Sequence, residues 1–346
     1  MILKSLYYDP NGIARGIVEN NSRQYNVSIC REFNRSWCSC AYNLFNKSPC
    51  KHIMFLLGEV DLNKMVKKKI LDRLETGCKT IDDLLAGGVP YSIVSGVYGK
   101  PMAGKSMFCY QIALANIKDN DRKVLYIDTE GIRVTDIRRL MYKFGERFDL
   151  KPEEINNKIE IISTLGDVQL KSLQKLFRMF GEMVTLDQSK GGKYTPHFEV
   201  CHPTYDDKKL GEYSMIIIDS LSKPIKDAIG SNTPNLPARS QIQERLFGML
   251  THKAMMHNLA IIINHHTTRN PAMPFGEDFG TPSGGDAIMY NTKYVLEFWT
   301  ATNKIKNDSN WGIEARRVRL FRHPTEQVTG EWQVVRLKKD YGYTDE

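Results

Sequence analysis

Apolar and polar positions alternate along residues 1–30 in three short runs, 3–8, 13–18 and 25–29, separated by a Pro-Asn-Gly and an Asn-Asn-Ser turn. A period of two with turn residues between the runs predicts a small antiparallel meander. An apolar helix candidate follows at 53–60, then a basic stretch at 64–73. From about Leu74 the pattern changes. Apolar runs at 92–96, 124–128, 159–162, 215–219, 260–264 and 294–298 alternate with helix-compatible runs, among them 107–117, 134–148 and 170–183. Strands alternating with helices predict a mostly parallel central sheet with helices on both faces. Glycines, prolines and charges interrupt this rhythm between Gln188 and Glu212, as an inserted loop or hairpin would. The expected plan is a small β-rich domain at 1–60, a basic linker at 61–75 and an α/β core at 76–346 with an insertion at about 186–212.

Composition narrows the class. At 346 residues the chain suffices for one large core and a small module, and 41% hydrophobic with 25% charged residues suits a water-exposed globular protein. No apolar run approaches a membrane span, and the N-terminus MILKSLYYDP lacks a signal-peptide pattern. The net charge of +8 favours a polyanionic partner. Three of the seven cysteines lie within 38–50 beside a histidine, which points to a metal site in a reducing compartment rather than to disulfides.

Two motifs carry the chemistry. Gly99-Lys100-Pro101-Met102-Ala103-Gly104-Lys105-Ser106, between an apolar strand candidate and a helix beginning at Met107, matches the phosphate-loop pattern. Its glycines let backbone N–H groups curl around phosphate oxygens, and the helix N-terminus favours an anion. Lys105 would reach the β/γ-phosphates and Ser106 would ligate Mg²⁺. The strand candidate ending in Asp219 supplies a second Mg²⁺ group, acting through water. Glu130, just past the strand ending in Asp128, stands where it would polarise a water against the γ-phosphate or serve only as a turn carboxylate, and the pattern alone admits both. The second motif is Cys38-Ser-Cys40, nine residues, then Cys50-Lys-His52. Three thiols and an imidazole in two pairs fit a closed, structural zinc site. Cys30, Cys78, Cys109 and Cys201 are not expected to be ligands.

That spacing resembles the SWIM zinc finger, a nucleic-acid or protein interaction unit, with Trp37 before it and an apolar helix after it. From about residue 74 the chain resembles the RecA-type recombinases, and most of all the archaeal RadA family. The resemblance rests on Glu75-Thr-Gly77, 81–88, Ile127-Asp-Thr-Glu-Gly131, 144–155, Asn235-Leu-Pro-Ala-Arg239, Asn264-His265, Gly284-Gly285 and Arg317 to Pro324, in the family's order. It implies a RecA-like ATPase that uses ATP and Mg²⁺, with Glu130 as general base and with Asn264 and His265 sensing the γ-phosphate. It also implies Pro324 in a nucleotide cap and two DNA loops carrying Arg239 and Arg269, for which ordinary surface charge is the alternative. The resemblance further implies single-stranded DNA as ligand, a RadA-type recombinase or other paralogs as partners, homo-oligomers on DNA and a cytoplasmic, nucleoid-associated archaeal setting.

The sequence departs from the family in four ways. The zinc module stands where RadA has its N-terminal DNA-binding domain. The linker 53–75 has no Phe-x-x-Ala tether, the sole instance being Phe298 to Ala301. The cap segment carries Arg322 in place of an acidic residue, and His265 replaces a glutamine. These changes point to a recombinase paralog that assists recombination and repair by loading or stabilising the main recombinase. Two other readings stand beside it: a nucleotide-binding adaptor with little hydrolysis that recruits partners through the zinc module, and a KaiC-like signalling ATPase.

Overall fold

The structure, a computed structural model, describes residues 1–8, 14–29, 37–40, 50–59, 73–164, 170–230, 235–268, 281–282, 291–308, 310–324, 328 and 330–345. The chain divides into two compact units, residues 1–71 with 207–212 and residues 72–206 with 213–346.

In the first unit, β1 (Ile2–Tyr8), β2 (Ala14–Asn20), β3 (Arg23–Ile29) and β4 (Trp37–Cys38) form an antiparallel sheet in chain order. Asn21 and Ser22 both take positive φ, 52° and 62°, which gives the β2–β3 hairpin the two-residue turn whose twist matches its strands. Helix α1 (Lys51–Glu59) buries Ile53 and Leu56 with Ala14, Val18, Val27 and Ile29. It comes so close to β2 that a Cβ on Gly16 would stand 2.8 Å from a Leu56 methyl carbon.

The second unit is built on one sheet. β5 (Arg73–Leu74) and β6 (Val89–Pro90) form a small ribbon flanking α2 (Lys79–Leu84). β7 (Ile93–Gly99), α3 (Lys105–Asp119), β8 (Lys123–Asp128), α4 (Val134–Gly145), α5 (Pro152–Lys158), β9 (Ile159–Ser163) and α6 (Leu170–Met179) follow. A hairpin of β10 (Glu182–Gln188) and β11 (Tyr194–Val200) precedes β12 (Tyr213–Asp219), α7 (Ser222–Ile229), α8 (Leu236–His257), β13 (Ala260–Thr268) and β14 (Thr281–Pro282). The chain ends with β15 (Tyr294–Thr300), β16 (Ala315–Arg322), β17 (Gln333–Lys338) and β18 (Gly342–Thr344).

The sheet order is β18-β17-β16-β15-β7-β13-β12-β8-β9. The six strands from β15 to β9 pair in parallel, and β16, β17 and β18 extend the sheet antiparallel. Every residue of β12 is buried, as expected for a central parallel strand covered on both faces.

Two expectations change. The helix expected over 170–183 stops at Met179. Gly181 takes φ +102°, which an L side chain resists, and Met183 instead pairs with Glu199 in the hairpin. Arg73, expected in the linker, belongs to the core unit: its guanidinium donates to the carbonyls of Leu85 and Gly88 and to the Tyr294 hydroxyl (2.8 Å).

Candidate functional site

β7 runs directly into the loop 100–104, and α3 begins at Lys105. Two glycines make this turn possible. Gly99 has φ +149°, and a Cβ there would collide with the Phe298 carbonyl of the neighbouring strand. Gly104 has φ +92°, and a Cβ there would strike the Tyr343 hydroxyl and Leu337. The loop is braced from the far end of the chain. The Tyr343 hydroxyl donates to the Ala103 carbonyl (2.6 Å), and Gln111 of α3 bonds both the N–H and the carbonyl of Tyr343. Asp345 accepts from the N–H groups of Lys79 (2.7 Å) and Thr80 (2.9 Å) and so caps α2 from outside. Lys105 Nζ donates to the carbonyls of Gly99 (2.9 Å) and Lys100 (3.0 Å). Burial lowers its pKa, while Asp219 and Glu130 pull the other way. Pro101 and Met102 are exposed at the tip, and Ser106 and Met107 lie half-buried in the first helical turn, whose N–H groups have no partner within the helix. A loop that accepts no Cβ at either glycine, followed by a helix N-terminus and an ammonium, fits a polyphosphate.

The strand register brings the other groups to the same edge. Asp219 pairs with Asp128 on one side and Asn264 on the other, and Asn264 pairs with Val97. Buried Asp219 accepts from the Tyr126 hydroxyl (2.7 Å) and from Asn264 Nδ2 (2.5 Å). Asp128 accepts from the N–H groups of Glu130, Gly131 and Ile132 and from the Ser163 hydroxyl (2.9 Å), and so fixes the turn that presents Glu130. Glu130 Oε1 receives the Ser220 hydroxyl (2.5 Å) and His266 Nε2 (2.8 Å). Burial alone would raise its pKa. Together the bonds from His266 and Ser220 and the charge of Lys223 outweigh burial and hold it below the ordinary carboxylate value. An ionised carboxylate at this edge can take a proton from water.

His265 stands at the same strand end but on the other face of the sheet. Successive side chains of a strand point to opposite faces, so Asn264 and His266 share one face and His265 takes the other. His265 is buried against the Phe247 ring of α8 (centroids 6.2 Å apart), neither ring nitrogen has a hydrogen-bond partner among the described residues, and burial pushes its pKa down to about 3. The structure therefore does not bring His265 to Glu130, and His266, for which the sequence carries no signal, contacts Glu130 instead. Pro324 is also apart from the loop. Arg322 pairs with Val295 near the start of β15, whereas Gly99 pairs with Phe298 toward its end, so the segment after Arg322 leaves the sheet at the opposite edge. Within one chain Pro324 does not join the phosphate loop. Arg239 lies half-buried in the first turns of α8 beside Lys226 of α7, which also feels the charge of Glu130. Arg269, Gly284 and Gly285 lie outside the described residues. Phe298 of the Phe-x-x-Ala sequence is fully buried in β15.

In the first unit the ligand atoms of Cys38, Cys40, Cys50 and His52 lie within 4.8 Å of one another, and all four residues are buried. Cys38 ends β4 with Cys40 two residues beyond it, and Cys50 immediately precedes α1, whose first turn carries His52 and whose Met54 N–H donates to the Cys50 carbonyl (3.0 Å). His52 Nδ1 is 3.6 Å from Cys38 Sγ and 3.9 Å from Cys50 Sγ. A tetrahedron with Zn–S near about 2.3 Å and Zn–N near about 2.0 Å places S and N roughly 3.5 Å apart, so the set fits zinc. Burial raises the Cys38 thiol, which a cation would reverse, and lowers His52, which keeps the imidazole in the neutral form that a cation needs. The Asn20 amide meets His52 Nε2 at 3.3 Å and Tyr25 stacks on the ring at 4.1 Å, an outer support the sequence did not reveal. Cys78, Cys109 and Cys201 lie in the second unit, and Cys30 lies outside the described residues.

A phosphate loop, a strand-end Asp and a neighbouring Glu on a six-strand parallel array define a RecA-like P-loop core. The comparisons agree. The Rad51 family model matches residues 67–187 and the SWIM zinc finger model residues 24–61, so the chain joins a Rad51/RecA-family domain to a SWIM zinc finger. The DNA repair protein RAD51 of Saccharomyces cerevisiae is 24% identical over 237 residues, 65% of this chain and 50% of its own length. The DNA repair and recombination protein RadA of Ignicoccus hospitalis is 24% identical over 249 residues, 68% of this chain and 64% of its own. The chain thus aligns with half to under two thirds of these relatives. In fold it is similar to the crystal structure of the RadB recombinase, with a TM-score of 0.54 at 20% identity over 79% of this chain and 99% of that one. Among the described residues no helix is long and apolar enough to cross a membrane.

Proposed function

We propose that this chain is an ATP-dependent, DNA-binding recombinase paralog that assists homologous recombination and repair in a cytoplasmic, nucleoid-associated setting. The observation that carries the reading is the convergence of Lys105, Asp219 and Glu130 on one edge of adjacent parallel strands. Residues 99–107 would hold the nucleotide phosphates, with Ser106 and Asp219 holding Mg²⁺, which neutralises phosphate charge. Glu130 would take the proton of the attacking water. Asn264 holds Asp219. Arg239, with Arg269 beyond the described residues, would contact DNA phosphates, and the zinc module would take a RadA-type partner or nucleic acid. We keep the domain plan of zinc module, basic linker and core, with the core beginning at Arg73.

The test is ATP turnover with and without single-stranded DNA. Stimulation by DNA supports recombination. ATP binding with little or no turnover favours the adaptor, and autophosphorylation without DNA favours signalling. DNA affinity should also fall steeply with salt: about six phosphate contacts cost on the order of 10³ in affinity between roughly 50 and 200 mM. Salt-independent binding, read by anisotropy, would remove the phosphate contacts from the argument.

Pro324 and Arg322 leave the sheet opposite the phosphate loop, so a cap would act on a neighbouring copy. The buried Phe298 is no tether for such assembly. Losing an aromatic anchor costs about 2 kcal/mol, roughly thirty-fold. Monomers or short oligomers without DNA are the expected outcome, and light scattering that shows long DNA-free filaments would overturn it.

A further inference from the structure

Two side chains from different elements meet one oxygen of Glu130, Ser220 just past β12 and His266 on β13. The main-chain N–H of His266 donates to the Ser222 hydroxyl (3.4 Å), which ties this point of β13 to the start of α7. β13 continues beyond it. Thr267 and Thr268 pair antiparallel with Pro282 and Thr281 of β14, so His266 stands at the root of a two-stranded ribbon whose strands residues 269–280 join in sequence. The other charges that bear on Glu130 and its surroundings are Lys223 and Lys226 of α7, Lys105 of α3 and Asp128 at the end of β8.

We infer that His266 is a positioning residue for the general base: its Nε2–H holds the Glu130 carboxylate from the end of β13. The inference rests on the ATPase reading above. It gives His266 a role exerted through the Glu130 carboxylate rather than by direct contact with phosphate. Burial raises the Glu130 pKa and the His266 bond opposes it, so loss of the imidazole should move Glu130 upward.

Two measurements test this, the first without nucleotide. Carboxyl ¹³C NMR of the glutamate-labelled full chain follows Glu130, whose resonance is identified by its loss in Glu130→Gln. In His266→Ala it should titrate at higher pH than in the native chain, and His266→Gln, which keeps a donor, should restore part of the shift. In the second, kcat for ATP should fall on the order of ten- to a hundred-fold in His266→Ala with KM little changed. The acid limb of the pH–rate profile should move to higher pH, again with partial rescue in His266→Gln. An unmoved Glu130 titration and an unmoved acid limb in both variants would overturn the positioning role while leaving the ATPase reading intact. A native chain that binds ATP without hydrolysing it would overturn the ATPase reading, and the positioning role with it.

Discussion

The Glu130→Gln chain is expected to bind ATP as the native chain does and to hydrolyse it about 10²–10⁴-fold more slowly. The amide has the size of the carboxylate, and its oxygen can still accept from Ser220 and His266, so the turn braced by Asp128 keeps its shape. What it cannot do is take a proton from water. The native carboxylate suits that task because the His266 and Ser220 bonds and Lys223 together outweigh burial and keep it ionised. A base must be deprotonated to act, so the native rate should hold through neutral pH and fall only as pH drops toward the lowered Glu130 pKa. Lys105→Ala is the contrasting control: it removes the ammonium from the loop and should abolish binding itself. Nucleotide-binding and phosphate-release assays on both variants separate the two losses. Hydrolysis at the native rate in Glu130→Gln would reduce Glu130 to the turn carboxylate that the sequence also allowed.

The phosphate loop was legible because its chemistry fixes both residue types and spacing, and the parallel strands because burial on both faces leaves continuous apolar runs. The same property hid the facing of β13. Ala260 to Ile263 are apolar on both sides, so nothing in the sequence says which of the adjacent His265 and His266 turns toward Glu130. Only the register of paired strands decides it. The end of α6 is masked in the sequence because Phe180 and Met183 continue an apolar helical pattern past the one contrary signal, Gly181. Arg73 looks like its basic neighbours, yet its partners are Leu85, Gly88 and Tyr294, the last 221 positions away. The clasp of Tyr343 on Ala103 spans 240 positions. Asn20 and Tyr25 around His52 were missed for the same reason, since contacts this distant in sequence leave no local pattern.

Removing the metal should unfold the first unit and leave the second folded. Among the described residues, the first unit's buried apolar cluster has nine members, three of them Cys38, Cys40 and Cys50, so the ligands form a third of the described cluster that would have to stand without them. A module of this size rarely gains more than about 3–5 kcal/mol from its core alone. Structural zinc contributes about 10–16 kcal/mol of apparent binding free energy, which in such modules is folding free energy. Without a cation, the buried thiols and His52 lose the charge that would hold them together, and the hydrogen bond to Asn20 and the Tyr25 stack are too few to replace it. One zinc per chain is expected from elemental analysis, and less than that in Cys50→Ser. After chelation, amide exchange should become fast across 14–29 and 51–59 while 93–99, 123–128 and 213–219 stay protected, since the parallel sheet draws nothing from the metal. Nucleotide binding should persist, and any DNA or partner binding that depends on the zinc module should disappear. Full protection of 14–29 and 51–59 in a metal-free chain would show that the cluster is closed by packing alone and that the four residues are not a zinc site.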